Sequence, residues 1–559
     1  MIIIQGKGVS TGVAVGPLYF YQRASAELSR YEVEDRESEW QRFKAAQAKA
    51  IDQLGVLAEK AREEAGDEAA MLFETHQMMC EDMDYEEAIE TFIKESGLNA
   101  EAAVTDAGEI QAEAFAAMDD DYFKARAADV KDISGRIVGI LSGVVQGGID
   151  SDVPVVLAAD DLAPSETIQL DKSKILGFVT SGGSGSSHTA ILARTIGIPA
   201  IIGVGDQLKE EYAGREVIVD GGTGAVAVDP DEDTRARLMK KRAELLKKQE
   251  LLNKLKGQPN ITKDHQEIRV YCNIGNPEDV HAVLENDGGG IGLFRSEFLY
   301  LNCDDYPTEE YQFEAYKKVL SAMDGKEVVI RTCDIGADKM IEYFELPKEE
   351  NPALGNRALR ICLNRPEMFH TQIRALYRAS AYGHLSIMFP MVASVWEVRE
   401  AKKMCEQVKA ELDAEGIPYA DNVDVGIMIE TPAAAIISDR LAKEVDFFSI
   451  GTNDLTQYTT ACDRQNNDLG RFFDPHHPSV LRLIKMACDN AHKEGIWCGI
   501  CGELGADLEL TELFLSIGLD ELSVSPKSVL PLRQKVRETE VRLVREKHLA
   551  ELASNETSL

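Results

Sequence analysis

Nowhere in its 559 residues does the chain carry an apolar run close to the ~20 residues that a bilayer span needs, and Met1 leads straight into IIIQGKGV. The basic head and cleavage site of a secretory signal are missing from that start, so the expected compartment is the cytoplasm. Positive charge is scarce: 60 Lys and Arg against 96 Asp and Glu give a net charge of −36. That balance argues against a broad nucleic-acid or anionic-membrane surface and permits a basic protein partner. The ten cysteines, scattered from 80 to 501, lack the spacing of a disulfide framework, and reduced thiols are expected. No G-x-x-x-x-G-K-[ST] occurs, which removes one common nucleotide-binding loop.

What the chain has instead is a succession of strand-like and helix-like blocks, long enough for two or three domains. Residues 2 to 20 read as short strands around a turn-prone stretch from Gly6 to Gly12. From Val33, Trp40, Phe43, Ala50, Leu54 and Leu57 recur at helical spacing, and helices are expected to about Leu141. Strand-like VPVVLAA (153–159), ILGFVT (175–180), PAIIGV (199–204) and EVIVDG (216–221) follow. The expected division is an α/β domain of residues 1–30 plus 146–228, interrupted by a helical insertion over 31–145. A charged segment, 229–260, reads as a linker helix. Eight strand candidates then begin near 267, 290, 327, 385, 423, 445, 496 and 521, most separated by helical stretches. They predict a parallel (β/α)8 barrel over 261–559, making the chain an α/β multidomain protein.

Barrel enzymes place chemistry at the C-terminal ends of their strands, and there the sequence puts Arg295, Arg331, Glu430, Asn453, Asp454, Cys501 and Glu503. Glu430 and Asp454, on neighbouring strands, are few hard oxygen donors of the kind that suits Mg2+. Arg295, Arg331 and Arg464 supply forked donors for phosphate and carboxylate. WCGIC (497–501) contains C-x-x-C, but Gly502 and Glu503 continue a barrel strand end, so a redox role is not expected. A zinc site with His476 or His477 lacks a second ligand pair. Cys501 reads as a proton donor at the rim and Cys498 as packing. In the first half, GGSGSSHTAILAR sets His188 on a glycine-serine turn at a helix start. A neutral imidazole there can act as a nucleophile, with Ser187 and Thr189 hydroxyls to hold phosphoryl oxygens and Thr167 to orient it.

GVSTGVAVGP, AADDLAPSET, SSHTAILART, GIGLFRSEFLY, IRTCDIGADK, NPALGNRALR, IMIETPAA, FFSIGTNDLTQYTTACDR and CGELGAD follow one another along the chain. In this order they resemble the enzyme I family of the bacterial sugar phosphotransferase system over essentially the whole length. The resemblance implies a phosphohistidine at His188, Mg2+ on Glu430 and Asp454, and phosphoenolpyruvate held by Arg295, Arg331, Asn453, Asp454 and Arg464. It also implies that Cys501 protonates the enolate to pyruvate. The phosphoryl group would then pass to a histidine of the carrier HPr, docked on the inserted helices at Asp67, Glu68, His76 and Met79. A homodimer through the barrel is a further implication. Because one histidine must meet first the barrel and then the carrier, a swing of the His188 domain on hinges near the 229–257 helix is expected. Departures from the family pattern are Gly185 where an arginine is usual, GADK for GGDK, Asn356 for an aromatic, and GAD for AGD after CGEL. Two alternatives stay open: a pyruvate phosphate dikinase-like enzyme, whose nucleotide module is not visible here, and a non-catalytic regulatory paralogue that binds phosphocarriers.

Overall fold

Short runs rich in Val, Ile and Ala build the first sheet. Its strands are β1 (Ile2–Gln5), β2 (Lys7–Ser10), β3 (Val13–Phe20), β4 (Val155–Ala159), β5 (Ile175–Thr180), β6 (Ala200–Ile202), β7 (Glu216–Asp220) and β8 (Ala225–Val228). They belong to a computed structural model describing residues 1–21, 29–65, 67–117, 121–143, 149, 151–183, 187–301, 303, 305–336 and 341–554. Two compact units compose it, Met1–Gln249 and Glu250–Leu559.

In the first unit the strand order is β1-β8-β7-β3-β4-β5-β6-β2. The run β3-β4-β5-β6 is parallel and the remaining pairs are antiparallel. Between Phe20 and Val155 the chain leaves the sheet and builds five helices before β4 returns beside β3. These are α1 (Arg36–Ala65), α2 (Asp67–Cys80), α3 (Met83–Lys94), α4 (Ala100–Ala116) and α5 (Asp121–Leu141). Each contributes an apolar stripe to one core, which includes Phe43, Leu54, Phe73, Ile89, Val104 and Ile133. Asp82 caps α3 by accepting from Tyr85 N at 2.9 Å. Three more helices complete the unit's path: α6 (Pro164–Gln169), α7 (His188–Ile196) and α8 (Glu232–Asn253). Most side chains of α8 are exposed, as its charge predicts.

The second unit is a closed barrel, parallel at every seam. Its strands are β9 (Arg269–Ile274), β10 (Ile291–Arg295), β11 (Val328–Arg331), β12 (Leu385–Phe389), β13 (Asp424–Ile429), β14 (Phe447–Ile450), β15 (Trp497–Ile500) and β16 (Glu521–Val524). All eight positions expected from sequence are strands. Outward-facing side chains such as Ile330, Ile387, Ile427 and Phe448 join the helices in one large core. Inside the barrel, Leu293, Val329, Met388, Met428, Phe447 and Cys501 form a separate apolar layer, in which Phe447 stacks on Trp497 with ring centroids 4.5 Å apart. Toward the strands' N-terminal ends the interior turns polar: Glu327 accepts from Tyr271 OH (3.1 Å) and Ser386 Oγ (2.9 Å) and pairs with Arg269 (3.4 Å). Among the described residues no helix is long and apolar enough to cross a membrane.

Candidate active site

The strand ends at the barrel mouth carry two arginines on one side and two carboxylates on the other. Arg295 and Arg331 close β10 and β11 in direct register, Glu430 follows β13, and the turn after β14 leads into a helix, Thr452–Thr460, with Asp454 in its first turn. Arg331 is buried and bridges Glu297 (Nη2 to Oε2, 3.1 Å) and Asp334 (Nη1 to Oδ2, 2.9 Å). Arg357, also buried, spans Asp334 (3.0 Å) and Asp454 (3.4 Å). Arg464, a third exposed, approaches Asp454 Oδ2 at 3.7 Å. These groups, with Asn453, Cys501 and Glu503, line a cavity of about 330 Å3. The cavity thus gathers every barrel residue singled out from sequence. A second cavity of about 660 Å3 shares Asn453, Arg464 and Glu503.

Backbone strain marks the same rim. Met391 and Ala358 sit at φ +56° and +53° without being glycine, a conformation that persists where its surroundings enforce it. Met391 N donates to Glu430 Oε1 at 2.6 Å, and Ala358 follows Arg357. Gly451 leaves room for the carboxylate, since a Cβ there would lie 2.9 Å from both Glu430 Oε2 and Met428 Sδ.

Electrostatics say what this cavity is short of. Burial, reinforced by the charges of Asp454 and Asp334, pushes Glu430 up to about 8 against the opposing pull of Arg331 and Arg357. Two neighbouring carboxylates that cannot comfortably share the site fit a hard divalent cation. Among the described residues no cluster of three or more ligating side chains occurs. Cys501 is buried in the cavity wall, its thiol donating to Ile450 O at 3.6 Å. Burial pushes it up to about 12, which keeps it protonated, as a donor must be. Iodoacetamide at pH 8 is therefore expected to modify the half-exposed Cys462 well before Cys501; peptide mapping checks the order, and early labelling of Cys501 would contradict the closed pocket.

C-x-x-C chemistry is ruled out by strand parity: Cys498 faces the outer core and Cys501 the barrel interior. All ten cysteines are free thiols. Neither His476 nor His477 builds a zinc site, for His476 bonds Asp507 (2.8 Å) and His477 caps the helix Pro478–Glu494.

In the first unit, His188 is the first residue of α7, directly after the N-cap Ser187; its side chain and Gly185 lie outside the described residues. The two hydroxyls expected to be free for phosphoryl oxygens are engaged. Ser187 Oγ accepts from Ala190 N (3.4 Å), and Thr189, fully buried, donates to Asp161 (3.0 Å) while accepting from Leu162 N (3.3 Å). Thr189 therefore ties α7 to the loop before α6, on which Thr167 is buried. Of the residues expected at the carrier surface, Asp67 and Glu68 open α2, with side chains outside the described residues. His76 is a correction: it is completely buried, 3.3 Å from Asp129 and 3.7 Å from Asp132, because it shares the inward helix face with Phe73 and Cys80. Met79 packs partly against the helical core. Met78 beside it is 64% exposed and offers an apolar side chain to solvent. Sequence reasoning also missed Arg357, Glu297 and Asp334.

A closed parallel barrel whose mouth bears arginines and carboxylates, and an α/β unit with a histidine at a helix start, define a class, and the family models and curated relatives agree on it. Residues 249–541 match the family model "PEP-utilising enzyme, PEP-binding domain", 5–126 "PEP-utilising enzyme, N-terminal" and 152–224 "PEP-utilising enzyme, mobile domain". The phosphoenolpyruvate-protein phosphotransferase of Listeria monocytogenes is 43% identical, over 96% of this chain and 94% of its own length. That of Priestia megaterium is 44% identical over the same shares. An NMR solution structure of an Enzyme I protein matches 43% of this chain and 99% of its own at 35% identity and a TM-score of 0.37. The chain belongs to the phosphoenolpyruvate-protein phosphotransferase family.

Proposed function

We propose that the chain transfers the phosphoryl group of phosphoenolpyruvate to His188, releasing pyruvate, and then to a histidine of an HPr-type carrier. Transfer from phosphoenolpyruvate to protein is the activity of the family to which it belongs. The observation that carries the residue assignments is the barrel mouth itself, where arginines, two close carboxylates and a buried thiol surround one small cavity.

Arg295, Arg331 and Arg464 hold the phosphate, and Asn453 the substrate carboxylate. Mg2+ on Glu430 and Asp454 would neutralise charge on the phosphoryl oxygens. Arg357, through its pairs with Asp334 and Asp454, fixes the angle at which Asp454 faces the cavity. A ring nitrogen of His188 attacks phosphorus as the bond to the enolate oxygen breaks. Positioning and charge neutralisation are what such a transfer asks of a protein. The Cys501 S–H then gives its proton to the enolate methylene carbon, making pyruvate and completing the step. The carrier docks on the helical insertion, where Asp67, Glu68 and Met79 are the contacts and buried His76 acts by holding α2 against α5.

Pyruvate release, coupled to lactate dehydrogenase with carrier in excess, tests this reading. Chelation of Mg2+ is expected to stop the reaction. Glu430→Gln is expected to raise the Mg2+ requirement by more than the about 10- to 100-fold typical of an outer-shell partner. An unchanged Mg2+ titration in Glu430→Gln would remove Glu430 from the site.

A further inference from the structure

Deeper in the barrel lies a second ionisable group that phosphoryl transfer leaves unused. Glu521, the first residue of β16, is completely buried, and although Ile500 N–H and the Ser523 hydroxyl stand near its carboxyl, neither oxygen has a hydrogen bond of good geometry. A buried carboxyl held so weakly asks for a reason.

Register fixes where this carboxyl sits. Ser449 on β14 pairs with Gly499 on β15, and Gly499 with Glu521 on β16, so the three occupy one inward-facing layer. Gly499 has no side chain, and a Cβ there would collide with Glu521 Oε2, as a Cβ at Gly292 would with Oε1. The carboxyl thus fills the space over Gly499, one strand spacing of ~4.8 Å from Ser449. Cys501 stands two residues beyond Gly499 on the same face, ~7 Å further along the barrel. The Ser449 hydroxyl lies beside its thiol and has no other hydrogen-bond partner. A carboxyl, a hydroxyl and a thiol therefore succeed one another inside the barrel, with Ser523 and Asn273 on their other side, where Ser523 Oγ donates to Asn273 Oδ1 (2.6 Å) and Asn273 Nδ2 to Cys501 O (2.9 Å).

We propose that Glu521 is the proton reserve of Cys501, returning a proton through Ser449 Oγ after each enolate protonation. The proposal rests on the donor role of Cys501 given above. Once the Cys501 S–H bond has broken toward the enolate carbon, the Ser449 hydroxyl gives its proton to the thiolate sulfur. Ser449 takes one in turn from Glu521, whose carboxyl must first turn across the bare backbone of Gly499 to reach the hydroxyl, and Glu521 is left as carboxylate. Burial, with the charge of Glu327 adding to it, holds the Glu521 carboxyl well above the usual carboxylate range, so its proton is in place at the start. The groups facing this path are Arg269, Tyr271 and Glu327 from below, Asp424 beyond them, and Arg331 and Glu430 from above. Glu327 bonds Tyr271 and pairs with Arg269, which is 44% exposed, so the barrel's N-terminal end is the solvent side from which Glu521 would regain its proton.

The test compares wild type with Glu521→Gln, Glu521→Asp, Ser449→Ala and Cys501→Ala, with Mg2+ present. Pyruvate is measured in a first turnover with protein in excess over phosphoenolpyruvate, and at steady state with carrier in excess. For Glu521→Gln and Ser449→Ala, the first turnover is expected to stay within about two-fold of wild type while the steady-state rate falls about 100-fold, the lower end for positioned proton transfer. Imidazolium buffer, as a small acid, should restore the lost rate, and Glu521→Asp should keep most of it. Full steady-state rate in both variants would overturn the proposal. So would an equal loss in both regimes without response to imidazolium, which is the mark of a packing role; Ser449→Ala still decides if Glu521→Gln does not fold. A wild-type first turnover in Cys501→Ala would instead refute the donor role of Cys501, and the reserve with it.

Discussion

Arg331→Met is expected to abolish turnover and also to destabilise the barrel. The guanidinium is buried between Glu297 and Asp334 at 3.1 and 2.9 Å. Removing it strands Glu297, whose other oxygen accepts from Asp334 N at 3.0 Å, while Asp334 keeps Arg357. Breaking a buried pair on one side costs about 3–5 kcal/mol, a large share of a total near 5–15 kcal/mol. Calorimetry should show a fall in Tm on the order of 10 °C. Turnover should fall by about 1,000-fold or more, since a single donor at a developing charge is worth about 100- to 1,000-fold and this side chain offers two. The second substitution Glu297→Gln separates the two losses. It removes the stranded charge, so the double variant should regain stability and not activity. Recovery of both together would make Arg331 a structural residue with no part in binding.

His188→Ala is expected to lose carrier phosphorylation completely while the barrel binds phosphoenolpyruvate as before. His188 begins α7 in the first unit, and the barrel mouth is built wholly from residues of the second. With Mg2+ and ligand at 100 times Kd, stabilisation of about 2.7 kcal/mol is expected in wild type and variant alike. Pyruvate release should drop to the non-enzymatic background, because no other nucleophile is assigned to accept the phosphoryl group. Carrier-dependent pyruvate release in the variant would place the acceptor elsewhere.

The barrel was legible because strands of a parallel sheet are buried on both faces and read as apolar runs ending in a polar residue. VVIR, ending in Arg331, and DVGIMI, followed by Glu430, announce themselves in this way, and both polar residues lie at the mouth. β8 was not legible, because Ala225–Val228 is four small residues after a turn. Arg357 escaped for a related reason. It ends no strand but precedes the short helix Leu359–Asn364, and its partners Asp334 and Asp454 are brought to it only by closure of the barrel. His76 was placed at the carrier surface by the family resemblance alone, although its spacing from Phe73 and Cys80 is that of an inward helix face. Thr189 likewise looked available as a hydroxyl beside His188, and only the structure shows it buried against Asp161. Glu521 gave no signal at all: a glutamate opening a strand is unremarkable until the glycines on both sides of its carboxyl are seen.

Intact mass after incubation with phosphoenolpyruvate tests the central claim most directly, run with Mg2+, without metal, and on His188→Ala. One acid-labile phosphoryl addition is expected in the wild type with Mg2+ and in neither control. Well-folded protein that gains no phosphoryl group, or gains one that survives His188→Ala, would contradict the account. The first of these results would make a regulatory, non-catalytic role, with Gly185 in place of the usual arginine, the reading to pursue.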